Sequence, residues 1–219
     1  MLSKNLSDIH ERIAAACERT GRNPDCVTLV CVSKTISAEI ISQAAALGEK
    51  VFGENRAQEL CEKHPLLPDV QWHLIGHLQT NKVRQVVGKA TLIHSVDSLH
   101  LAQEIDMRAQ KAGIVQDILL EVNISGEESK YGLTTEQIPT IIKGIGAMEH
   151  LRFRGFMTMA PRYAAPDEIR SIFRSAHNLF LEHQHGGADI LSMGMSGDFE
   201  IAVEEGATHV RVGSSIFKR

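Results

Sequence analysis

Short β-branched, apolar runs alternate with longer amphipathic stretches along the whole chain, and this rhythm predicts repeated βα units rather than a sandwich or a helical bundle. Eight runs read as strands: Val27–Ser33, Lys50–Gly53, Val70–Ile75, Thr91–Val96, Asp117–Asn123, Leu151–Thr158, Asp189–Met193 and His209–Val212. Between them, Pro166–His185 places Ile169, Ile172, Phe173, Ala176 and Phe180 on one helical face, with Pro166 suited to a first turn. Ser98–Ala112 does the same with Leu99, Ala102, Ile105 and Ala109, and Gly113 is its stop. Little chain follows the eighth strand, yet the chain opens on a helix whose Leu6, Ile9, Ile13, Ala16 and Cys17 form an apolar stripe that can fill the vacant eighth place. The expected fold is α/β: a single (β/α)8 TIM barrel over residues 1–219, with no linker, repeat or room for a second domain.

Composition narrows the function classes. A chain of 219 residues that is 43% hydrophobic can bury one sizeable core. The 23 basic and 27 acidic residues give a net charge of −4 without a basic cluster, which argues against nucleic acid or an acidic membrane surface as partner. No apolar run approaches the roughly 18 residues of a membrane span. Cys17, Cys26, Cys31 and Cys61 form no CxxC pair, and the start MLSKNLSDIHERI lacks a secretory apolar stretch, so reduced thiols and a cytoplasmic location are expected.

Candidate chemistry gathers at predicted C-terminal strand ends, which form the active face of such barrels. Lys34 closes the run TLVCVSKT. Apolar walls around its amine would lower its pKa from about 10.4 and favour nucleophilic chemistry on a carbonyl; a strand-end lysine reaching into solvent is the plainer alternative. Ser196 and Gly197 precede a predicted helix, Gly197–Glu205, whose N-terminus could face an anion, although Asp198 could satisfy that helix end by itself. Gly213, Ser214 and Ser215 form a small-residue turn after the eighth strand. The two loops opposite a strand-end lysine point to a phosphorylated carbonyl compound. His73 and His77 have a spacing that could serve a metal, but they fall on a strand passing into a loop with no third ligand, and a hydrogen-bonded wall of the site fits them better. HQH, residues 183–185, closes a helix and reads as surface.

The segments VSKT at 32–35, FGEN at 52–55, WHLIGHLQTNK at 72–82 and SMGMSGDFEIAVEEGATHVRVGSSIF at 192–217 closely resemble the YggS/PROSC family of pyridoxal phosphate-binding proteins. The resemblance covers nearly the whole chain. It implies the barrel of alanine racemase without its C-terminal β domain, pyridoxal 5'-phosphate as cofactor, and a role in pyridoxal phosphate homeostasis without catalytic turnover. Position by position, it makes Lys34 the Schiff-base lysine and places Asn55 near the cofactor ring. Ser196, Gly213 and Ser214 fall on phosphate-binding positions with Met195 beside them, and Arg211 matches an arginine that faces the pyridine nitrogen. Ser214 stands where threonine is common, and Arg56 and Ile36 depart from the family pattern. A guanidinium only donates, so the ring nitrogen would stay unprotonated and the ring would be a poorer electron sink.

Two readings compete: a carrier that supplies pyridoxal phosphate, possibly to apo-enzymes that need it, and a racemase-like enzyme acting on amino acids. The resemblance implies that a racemase takes a second base, a tyrosine, from a partner's β domain. This chain has only Tyr131 and Tyr163, which favours the carrier, and without the β domain and the racemase dimer contact it makes, a monomer is expected. A Schiff-base aldolase acting on a sugar phosphate is a third, weaker reading.

Overall fold

The structure is a computed structural model that describes residues 1–127, 131–184 and 187–218. Its eight strands are β1 Thr28–Val32, β2 Val51–Glu54, β3 Gln71–Leu74, β4 Leu92–Val96, β5 Gln116–Glu121, β6 Leu151–Met157, β7 Ile190–Met195 and β8 His209–Val212. All are parallel and pair in sequence order, and β1 joins β8 to close the barrel with Thr28 opposite His209 and Cys31 opposite Val212. Each predicted strand is present with its ends displaced by at most two residues.

The surrounding helices are α1 Leu2–Arg19, α2 Ala38–Ala46, α3 Ala57–Lys63, α4 Val83–Val86, α5 Leu99–Ala112, α6 Ile138–Ile145, α7 Pro166–His183 and α8 Phe199–Glu204. The five apolar residues expected to form the stripe of α1 are all buried. Asn5 donates to the Ile216 carbonyl at 2.8 Å and Arg12 pairs with Glu200 at 2.7 Å, which seats α1 beside α8 and the segment after β8. The opening helix thus fills the eighth place. Ser98 caps α5 by accepting from the Leu101 amide at 3.2 Å, and Gly113 ends it in the left-handed region. Leu101, rather than the half-buried Leu99, completes the core face of α5.

Alternation along the strands separates two interiors. Ile93, Ile118, Leu120, Leu191, Val210 and Val212 pack outward against the helices in the main core. Leu92, Leu119, Met157 and Ile190 form a separate small cluster inside the barrel. Inward positions between them are polar: His73, His94, Glu121, Ser192, His209 and Arg211 are either buried outright or, for His209, nearly so. Gly155 in β6 has φ +134°, and a Cβ there would lie 2.0 Å from the Ile190 carbonyl oxygen, so only glycine lets β6 and β7 approach at this point.

Candidate functional site

The seven residues singled out from the sequence, Lys34, Asn55, Met195, Ser196, Arg211, Gly213 and Ser214, line one cavity of about 610 Å³ at the C-terminal mouth of the barrel. The rest of its wall comes from Val32, Thr35, Ile36, Ile75, Met159, Arg162, Gly197 and Phe217. Three of these side chains are cationic, Lys34, Arg162 and Arg211, and none is a carboxylate. This imbalance suits an anionic ligand.

Lys34 stands in a turn directly after β1, closed by the Ile36 amide donating to the Ser33 carbonyl at 3.0 Å. Thr35 next to it has φ 63°, a left-handed conformation that is strained for a β-branched residue. The strain is held by its amide, which donates to the Glu59 carboxylate at 2.8 Å. Beneath the turn, the fully buried Glu54 accepts from Ser33 Oγ and from Lys63 Nζ, each at 2.7 Å, and Lys63 also reaches the Ser33 carbonyl at 2.9 Å. Burial pushes the Glu54 pKa up despite these donors. Lys34 itself is exposed at the lip. Of the two surroundings left open for its amine, solvent rather than apolar walls is the one found, because the residue stands in the turn beyond the end of β1.

On the opposite side of the cavity the loops after β7 and β8 touch, the Gly213 amide donating to Ser196 Oγ at 3.3 Å. A Cβ on Gly213 would sit 2.8 Å from the Val32 carbonyl oxygen, so a larger residue would push this loop away from β1. The helix expected from Gly197 starts at Phe199, with Asp198 at its N-cap position. The Asp198 carboxylate accepts from the Met195 amide at 2.5 Å, which brings the loop across the helix end. With Asp198 at the helix terminus, the hydroxyl groups that these two loops bring to the cavity wall are those of Ser196 and Ser214. Ser196 is half-buried and Ser214 exposed.

Arg211 approaches the cavity from below. It donates to Ser192 Oγ at 2.6 Å and to the Thr158 carbonyl at 3.0 Å, and both acceptors are neutral. Burial draws its pKa down to about 10, opposed by the more distant carboxylates of Asp198 and Glu121, so it stays charged at neutral pH. Glu121, at the inner end of β5, has its pKa raised to about 7 by burial and by Asp97, against the pull of Arg211.

His73 does not form a wall of this cavity. Its ring lies inside the barrel, Nδ1 being 3.0 Å from His94 Nε2, and it opens instead on a larger depression of about 1200 Å³ at the N-terminal end of the strands. Strand alternation sends Ile75 to the mouth and His73 one layer down. His77 stays in the loop after β3, 3.4 Å from the Asp97 carboxylate and stacked on Tyr131 with ring centroids 4.0 Å apart. No group of three or more potential metal ligands occurs among the described residues. His183 is half-buried and meets Phe156 edge-on, rather than lying on the surface as expected, and His185 lies outside the described residues. Arg162 of the MAPRY segment was the cavity residue most open to detection from sequence, as a cation in the loop after β6.

Residues 5–219 match the family model described as the alanine racemase N-terminal domain. The pyridoxal phosphate homeostasis protein of Aquifex aeolicus is 45% identical over 219 residues, covering 98% of this chain and 96% of its own. That of Pseudomonas aeruginosa is 37% identical over 218 residues, covering 99% and 94%. The solved structure of PipY from Synechococcus elongatus with pyridoxal phosphate bound superimposes with a TM-score of 0.86 at 33% identity, over 99% of this chain and 100% of that one.

Proposed function

The chain belongs to the alanine racemase N-terminal domain family, alongside the pyridoxal phosphate homeostasis proteins, and from that premise we propose that its mouth cavity binds pyridoxal 5'-phosphate and holds it for supply in the cytoplasm. The observation that carries this reading is the cavity's make-up: an accessible lysine, a buried arginine and two serine loops converge with no carboxylate in the wall. Its volume of about 610 Å³ falls in the range of small-molecule sites, about 300–1,000 Å³. When bound, the cofactor supplies an electrophilic aldehyde carbon and an electron-withdrawing ring.

The residues divide the work by chemistry. Lys34 offers the amine for the aldehyde, and the Ser196 and Ser214 hydroxyls with the Gly213 loop take the phosphate. Asn55 would lie near the ring, Met195 beside the phosphate-holding loops, and Arg211 would face the ring nitrogen. Because a guanidinium can only donate, Arg211 would keep that nitrogen unprotonated and so withhold the electron sink that α-carbon chemistry needs. Inverting a stereocentre also needs proton-transfer groups on both faces of the substrate carbon. Tyr131 and Tyr163 are 60% and 89% exposed, and neither lines the cavity. These features favour a carrier without turnover that delivers the cofactor to apo-enzymes, over a racemase-like enzyme.

Borohydride reduction of the protein mixed with pyridoxal phosphate, followed by peptide mapping, is expected to place the pyridoxyl group on Lys34. Label confined to Lys82, or to Lys130 outside the described residues, would overturn the assignment. Alanine racemisation at about 1 per second or faster by the same preparation would overturn the carrier reading.

A further inference from the structure

A line of buried side chains joins the mouth cavity to the depression at the other end of the barrel, and the cofactor reading gives it no task. Arg211 Nη1 lies 2.6 Å from Ser192 Oγ, Ser192 Oγ lies 3.0 Å from His94 Nδ1, and His94 Nε2 lies 3.0 Å from His73 Nδ1. Ser192 and His94 are fully buried and His73 is 4% exposed. His73 reaches the wall of the lower depression, beside His209, whose ring stacks on it at 6.0 Å.

We infer that Ser192, His94 and His73 are positioning residues forming a hydrogen-bond chain of fixed direction, each donating away from Arg211, which holds the guanidinium with its remaining N–H groups turned to the mouth cavity. Donor counting sets the direction. Arg211 can only donate, so Ser192 Oγ accepts from it. The serine hydroxyl proton then has one remaining partner, His94 Nδ1. If that nitrogen carried a proton, two donors would point at Ser192 and its own proton would be stranded where no water reaches it. His94 is therefore unprotonated at Nδ1. A neutral ring then bears its proton on Nε2 and donates to His73 Nδ1, which leaves the His73 proton on Nε2, towards the lower depression. Burial and the neighbouring Arg211 charge keep His94 neutral. Reversing the His94–His73 link would reverse the Ser192–His94 link against the fixed Arg211 donor, so the chain behaves as a unit.

The direction of the chain stands on the protein alone; its effect on the ring nitrogen rests on the proposed function. Long-range proton–nitrogen correlation spectra of the full chain labelled with ¹⁵N-histidine and free of cofactor, assigned with His94→Gln and His73→Gln, test the first. Both histidines are expected as the Nε2–H form, favoured about tenfold or more. An Nδ1–H ring or a charged ring at His94 would overturn the inference even if pyridoxal phosphate binds as proposed. Ser192→Ala should remove the His94 preference and shift the visible band of the pyridoxal phosphate complex, and Ser192→Thr should restore both. An unchanged His94 tautomer in Ser192→Ala would also overturn it. The expected tautomers without any binding of pyridoxal phosphate would leave the chain intact and sink the cofactor reading instead.

Discussion

Replacing Glu121 by glutamine should stabilise the protein at alkaline pH and much less in mild acid. Glu121 is 4% exposed inside the barrel, and burial with the nearby Asp97 carboxylate raises its pKa from 4.5 to about 7. The folded chain therefore binds this proton more tightly than the unfolded chain does. Its contribution is fully present below about pH 4.5 and is lost as the pH rises through about 7. At about 1.4 kcal/mol per pH unit that interval corresponds to roughly 3 kcal/mol, or about 2 after allowing for solvent relaxation around a charged carboxylate. Glutamine has nearly the same shape and no titration. The buried histidines act in the opposite sense. Burial lowers His73 to about 3 and His209 to about 4, so their contribution is present above the ordinary value of 6.5 and is lost as the pH falls through these lower values. That acid-side loss is common to both proteins and cancels in their difference. Urea unfolding of wild type and Glu121→Gln at pH 5, 6, 7 and 8 should show a small gain at pH 5, under about 1 kcal/mol, that rises to about 2 kcal/mol at pH 8. An equal gain at both ends would identify a packing effect, and no gain at pH 8 would show that Glu121 ionises like an exposed carboxyl. Either result refutes the reasoning.

Three further outcomes are expected. The double variant Ser196→Ala, Ser214→Ala should lose two orders of magnitude or more in pyridoxal phosphate affinity by equilibrium dialysis, at about 1.5–3 kcal/mol per hydroxyl bond to a charged group, with its thermal midpoint kept; unchanged affinity would move the phosphate elsewhere. Gly155→Ala should destabilise the fold by about 3 kcal/mol or more, since its Cβ would sit 2.0 Å from the Ile190 carbonyl oxygen, and a wild-type circular-dichroism melt would contradict that β6–β7 approach. Arg211→Gln should raise the Glu121 midpoint further above the ordinary carboxylate range by removing the charge that pulls it down, and a ¹³C titration showing a fall would contradict the electrostatic account.

The barrel was legible because each strand and its helix carry their own period. The α1 stripe Leu6, Ile9, Ile13, Ala16 and Cys17 is buried as read, and the strand ends moved by no more than two residues. The seven candidate residues line one cavity because of their places at the ends of β1, β2, β7 and β8, which a closed barrel makes neighbours. What was not legible depends on pairing across the barrel. His73, His94 and Ser192 come from β3, β4 and β7, and nothing local to any one strand says that their rings and hydroxyl meet. A signal did exist in the polar residues set mid-strand in WHLI, LIHSV, ILSMGM and HVRV, which mark an inward polar layer. Solvent exposure of Lys34 was one of two readings the sequence left open, and it is decided by a turn with Thr35 left-handed, a conformation that no residue-type rule assigns to threonine.

The polar interior bears on binding through the partners that Arg211 does not have. A buried guanidinium is ordinarily matched by a carboxylate, and such a pair would cancel most of the field either charge sends outward. Here both direct partners, Ser192 Oγ and the Thr158 carbonyl, are neutral. Asp198 is turned to the Met195 amide, and burial with Asp97 raises the Glu121 pKa to about 7, which favours its neutral form. Each arrangement weakens a possible counter-charge, so the positive potential of Arg211 reaches the cavity together with those of Lys34 and Arg162. The desolvation that draws the Arg211 pKa down to about 10 is the corresponding stability cost, since a hydrated guanidinium would be favoured over this one. An anion entering the cavity would supply the missing counter-charge, which makes the barrel more stable when loaded than when empty.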